Sequence, residues 1–95
     1  MNTKYGKISD KTYKDYKVKL INNIYKILPM KEEKTDTINV YIESVLYELV
    51  GMEKVLYEAG EICSIISVLE NLITEQDLKI VKREVFRAIS LVKRM

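Results

Sequence analysis

The chain has 95 residues, 47% hydrophobic and 32% charged, with a formal net charge of +2. That length holds one hydrophobic core and therefore one domain, residues 1–95, and that balance excludes a disordered or membrane-embedded polymer. With no histidine, one cysteine (Cys63) and three glycines, the chain can form no internal disulfide, no histidine-based catalytic centre and no glycine-rich phosphate loop.

Residues 1–9 carry no apolar periodicity and read as a flexible N-terminal arm. They also lack the apolar stretch of a secretory signal, which predicts a cytoplasmic protein. The first helix is expected to start after Ser9 or Asp10, either of which can cap its free N–H groups. Tyr13, Tyr16, Leu20, Ile24 and Ile27 form its core stripe at spacings of three and four. Pro29 is expected to end it, because the residue before a proline disfavours the helical conformation. Residues 30–36 read as a charged loop.

Thr35 or Asp36 is the expected cap of the second helix. Ile38, Tyr41, Ile42, Val45, Leu49, Met52 and Leu56 keep one phase across Gly51, which predicts one long helix to about residue 58. Gly60 is the expected stop. A third helix carries Ile62, Ile65, Ile66, Leu69, Leu72 and Ile73. Thr74 to Asp77 then has capping-box spacing, and a last helix buries Leu78, Val81, Val85, Ala88, Ile89 and Val92. Helical spacing throughout, with short connections, predicts an all-α fold: an antiparallel four-helix bundle, expected to be oligomeric.

The charges are segregated. Residues 1–34 hold nine lysines against four acids, residues 35–78 one lysine against nine acids, and residues 79–95 six bases against one acid. A near-neutral chain thus has basic ends and an acidic middle.

Catalysis is not expected. Cys63 has no basic neighbour to make a thiolate and reads as a small buried or half-buried apolar side chain. Alone it closes no metal site, so neither metal nor cofactor is implied. Binding is better supported. Val18, Ile21 and Tyr25 form a second apolar row on the first helix. Val40, Tyr47 and Gly51 lie opposite the core on the second, and Ile80, Leu91 and Met95 are an outer row on the last. Three such rows predict a candidate interaction surface, for a protein partner or a second copy of the chain. Lys11 and Lys14 near Tyr5, Tyr13 and Tyr16, with Lys79, Lys82, Arg83 and Arg87 on the last helix, are candidate anion-binding residues. Lysines there would neutralise phosphates while rings stack on bases, the chemistry of a nucleotide or nucleic-acid ligand. Solvated helix faces have the same composition.

Three stretches carry a resemblance: Tyr25-Lys26-Ile27-Leu28-Pro29-Met30-Lys31-Glu32-Glu33, Tyr41-Ile42-Glu43-Ser44-Val45-Leu46-Tyr47-Glu48-Leu49-Val50-Gly51 and Val81-Lys82-Arg83-Glu84-Val85-Phe86. In general pattern the chain resembles small helical accessory proteins of Gram-positive phages and mobile elements. The resemblance implies a non-enzymatic binding protein that inhibits or modulates a host protein, including a defence protein such as a CRISPR effector. It supplies no site residues. In architecture alone the chain is also similar to phage sponges that sequester an anionic nucleotide signal and to bacteriocin immunity proteins. The first would hold its ligand among Tyr and Lys side chains; the second would act at the inner face of a membrane without inserting.

Overall fold

The computed structural model describes residues 2–95; Met1, the first residue of the expected arm, lies outside the described residues. Helix α1 (Asp10–Tyr25) starts as predicted: Ser9 is its cap, the hydroxyl oxygen accepting from the Thr12 N–H at 3.0 Å. Pro29 breaks the helix, but one turn upstream of where the sequence reading put the end. A proline has no N–H for the carbonyl four residues back and its ring crowds that carbonyl, here that of Tyr25, and α1 stops at Tyr25. The chain turns at Lys26 and resumes as a short helix, α2 (Ile27–Glu32). Pro29 sits in its first turn, where N–H groups need no intrahelical partner. Part of the expected loop is thus helical.

Helix α2 ends with Lys34 in the left-handed region, φ 54°. The Thr35 N–H donates to the Met30 carbonyl at 3.0 Å and the Lys34 N–H to that of Lys31 at 3.2 Å, the paired bonds of a Schellman turn. Helix α3 (Ile38–Val55) follows, capped at Thr37 with no side-chain bond, rather than by Thr35 or Asp36. It runs unbroken through Gly51 and stops at Val55, short of the predicted end. Leu56 is extended and buried in the core. Gly60 is therefore not a stop but the first residue of α4 (Gly60–Thr74). The expected capping box is displaced too: Thr74 closes α4, and Asp77 caps α5 (Leu78–Lys93), its carboxylate accepting from the Lys79 N–H at 2.9 Å.

The segment read as a flexible arm is tied down. β1 (Asn2–Thr3) and β2 (Gly6–Lys7) form an antiparallel hairpin whose tight turn holds Gly6 at φ 133°, where a side chain would be strained. The Lys4 N–H donates to the Val55 carbonyl at 2.8 Å, and Thr3 pairs with Leu56. The hairpin thereby covers carbonyls that the end of α3 leaves free.

The four long helices alternate in direction. The start of α1 (Tyr13), the end of α3 (Leu56), the start of α4 (Ile62) and the end of the chain (Met95) meet at one end of the molecule. Lys31, Ile38 and Gln76 meet at the other. Helix α5 packs against α1, α2 and α4, and α4 against α3. Helices α1 and α3 close the bundle across a seam where the Tyr41 hydroxyl donates to the Asn23 carbonyl at 2.7 Å. An all-α antiparallel four-helix bundle results, elongated at 40 × 19 × 18 Å. Leu20, Ile24, Ile42, Leu49, Ile65, Leu69, Val85 and Val92 are among the side chains of its single core. Helices α3 and α5 occupy diagonal corners.

Candidate functional site

The basic ends of the sequence become neighbours in space. α1 and α5 pack side by side, so Lys11 and Lys14 on one and Lys79, Lys82, Arg83 and Arg87 on the other are all exposed on one half of the bundle. α3 and α4 form the other half and lie within residues 35–78, which hold nine of the fourteen acids. The segregation along the chain is thus a segregation across the molecule.

The basic half has an apolar centre. The rings of Tyr25 and Phe86 meet edge-on with centroids 6.1 Å apart, yet stay 50% and 44% exposed. Val18, on the same side of α1 as Tyr25, is exposed as well. In α5 the buried stripe is Val81, Val85, Ala88, Ile89 and Val92. Phe86 falls off this phase, with Lys82 one turn before it on the α1 side. An edge-to-face aromatic pair thus stays partly exposed on the half of the bundle that carries these cations.

On the other flank of α5 a groove of about 330 Å³ opens toward α4, lined by Asn71, Thr74, Ile80, Arg83, Glu84 and Arg87. Glu84 accepts from Arg83 Nε and Arg87 Nη1, each at 3.2 Å, and so aligns both guanidiniums along the groove. Ile80, expected in an outer apolar row, is half-buried here. Leu91 and Met95, expected in the same row, pack against the core and leave that surface. Val40, Tyr47 and Gly51 do lie on the outer side of α3, Val40 and Tyr47 being 68% and 83% exposed. The predicted interaction residues therefore divide among three places and do not form one surface.

The tyrosines nearest the lysines are engaged within the bundle. Burial, followed by the Glu48 carboxylate and the Tyr13 phenol, pushes the Tyr16 phenol up to about 12. Its hydroxyl is the buried side-chain polar atom without a hydrogen-bond partner among the described residues. Burial and then Glu61 raise the Tyr13 phenol; burial and then Glu48 raise that of Tyr41. The Lys17 ammonium lies 5.7 Å from the centre of the Tyr13 ring and donates to the Met95 main-chain oxygen at 2.8 Å. Tyr13, Tyr16 and Lys17 thus serve the seams between helices, which takes them out of any stacking platform.

Cys63 is exposed, not buried or half-buried as its place beside an apolar stripe suggested. Among the described residues no group of three potential ligands converges on a metal position, and no helix is long and apolar enough to cross a membrane. Sequence reasoning missed Phe86 as part of the basic face and Lys31 as a buried side chain. An aromatic off the core phase was the available signal for the first; nothing in the sequence marked the second. No family model, curated protein or solved structure matches this chain.

Proposed function

We propose that this chain is a non-enzymatic, cytoplasmic binding protein whose α1/α5 face docks on an acidic surface of a partner protein. The observation that carries this reading is the coincidence of Val18, Tyr25 and Phe86, all exposed, with the cations of two adjacent helices. Apolar contact supplies affinity at the centre of such a face, and the charges around it steer encounter and choose the partner. The resemblance to accessory proteins of phages and mobile elements favours a host protein as the partner, a defence component included, with inhibition or modulation by masking as the mechanism.

Affinity capture from host lysate, with mass spectrometry of proteins and small molecules, tests this. Phe86→Glu is the control, since it reverses the face where the side chain is already half exposed. A protein captured by the wild type and lost with Phe86→Glu, at equal helix content, supports the reading. Equal capture by both sinks it.

The groove between α4 and α5 favours a second reading, sequestration of a small anionic nucleotide by Arg83 and Arg87. The guanidinium N–H groups not held by Glu84 can meet phosphate oxygens in pairs. Recovery of a nucleotide with the wild type, and its loss on Arg83→Ala with Arg87→Ala, would favour it.

A further inference from the structure

The bundle has two exposed apolar surfaces in opposite electrical settings. Val18, Tyr25 and Phe86 lie among the cations of α1 and α5. Val40 and Tyr47 lie on the outer side of α3, flanked by the exposed Glu43 and Glu48; Lys54, two turns beyond Tyr47 in the same row, is the one lysine between Asp36 and Asp77, a stretch that holds nine acids. Because α3 and α5 stand at diagonal corners, the two surfaces face away from each other. One chain cannot bring them together; two chains can.

We infer that the α3 face of one copy docks on the α1/α5 face of the next, in a head-to-tail contact. This rests on the reading of the α1/α5 face as a docking face and names an occupant for it, a second copy of this chain. Charge decides against a symmetric pair. Two α3 faces together would set Glu43 and Glu48 against their own copies, and two α1/α5 faces would set Lys14 and Lys82 against theirs; like charges facing across an interface oppose binding. The head-to-tail contact sets acids against bases, with Val40 and Tyr47 against Val18, Tyr25 and Phe86.

Each copy so engaged keeps one face free, so the contact repeats into an open chain unless its rotation closes a ring. An acidic partner protein would compete with the α3 face for the same cations and end the chain.

The test uses two variants at exposed positions, Tyr47→Lys on the α3 face and Phe86→Glu on the α1/α5 face, followed by sedimentation. The wild type should show a mean mass that grows with concentration beyond two chains, and that falls when salt is raised from 0.1 to 1 M, as the screening length shrinks from about 10 to about 3 Å. Each variant alone should stay at 11.1 kDa. Mixed, they should form a one-to-one pair and nothing larger, because one intact face remains on each. Val40→Lys with Val18→Glu repeats the experiment at independent positions should either first variant lose helix content. A wild type that stays at one chain overturns the inference, as does a closed symmetric dimer or a mixture that remains single chains. None of these outcomes touches partner capture by the α1/α5 face, which fails only if Phe86→Glu captures as the wild type does.

Discussion

The ammonium of Lys31 on α2 donates to the main-chain oxygen of Glu75 at 3.0 Å, forty-four residues further along the chain, and to that of Ile73 at 3.3 Å. One side chain thereby closes the C-terminal end of α4, whose last carbonyls have no helical donor and carry the negative end of the helix dipole. Lys31 is only 8% exposed. Burial lowers its affinity for a proton, and the Glu75 carboxylate partly offsets this. Removing the side chain would leave these part-buried carbonyls unpaired and a gap between α2 and the end of α4. Lys31→Ala should therefore destabilise the bundle by about 2 kcal/mol, in line with the loss of charge-assisted bonds to buried groups. Urea unfolding of both proteins measures it; a change below about 0.5 kcal/mol would mean that water replaces the ammonium freely.

Lys34 offers the opposite case, a residue whose replacement should help. Its backbone sits at φ 54° to complete the turn after α2, a conformation that costs a side-chain-bearing residue roughly 1 kcal/mol and glycine almost nothing. Lys34 is exposed, so little contact is lost. Lys34→Gly should raise stability by about 0.5–1 kcal/mol, less any entropy that glycine adds to the unfolded chain. Thermal or chemical denaturation gives the sign directly.

These two lysines also mark where the sequence was readable and where it was not. Both stood in a stretch read as a charged, solvated loop, because Pro29 and four charges in five residues suggest one. Proline forbids a helical bond to the carbonyl four residues earlier, not a helix that begins just before it, and α2 uses that freedom. The core stripes were legible because period alone decides which side of a long helix is buried: Leu20, Ile42, Leu69 and Val85 lie where expected, whereas Leu78, expected to be buried, is exposed in the first turn of α5. Helix ends were less so, since Leu56 stops α3 by pairing with the hairpin at Thr3, a contact between positions far apart in the chain. The candidate site was half legible. The cations of α1 and α5 could be named, but their union into one face depends on which helices are neighbours, and no periodicity contains that.

The unpaired hydroxyl of Tyr16 makes a prediction that links stability to pH. Its phenol is pushed up to about 12, so the folded chain holds this proton more tightly than the unfolded chain, whose tyrosine titrates near 10. Stability from this group is complete below pH 10 and is lost as pH rises through 12. Tyr13 and Tyr41, also raised, act in the same direction. Lys31, lowered, acts in the opposite one, but it is one group against three. The melting temperature should therefore fall steeply above pH 10. Tyr16→Phe should flatten that fall and, by removing a buried polar atom without a partner, should raise stability by about 1 kcal/mol at neutral pH. If Tyr16→Phe follows the wild type across the alkaline range, the phenol is not held as described.

Gly51 lies on the outer side of α3, inside an unbroken helix, and a methyl group added there would meet nothing within 4 Å. Glycine in a helix interior costs about 1 kcal/mol relative to alanine, because the unfolded chain loses more freedom in ordering it. With no clash to set against this, Gly51→Ala should stabilise a single chain by about 0.5–1 kcal/mol, read as an upward shift of the denaturation midpoint at low protein concentration, where assembly is absent. At high concentration the same substitution reports on the α3 face. If the next copy approaches α3 closely beside Tyr47, the added methyl group should weaken assembly at least several-fold while the single chain is more stable, so the two readouts move in opposite directions. If both improve together, the neighbouring copy contacts α3 at Val40 and Tyr47 and stands away from the helix backbone at Gly51. A loss of stability at low concentration would contradict the open space above this glycine.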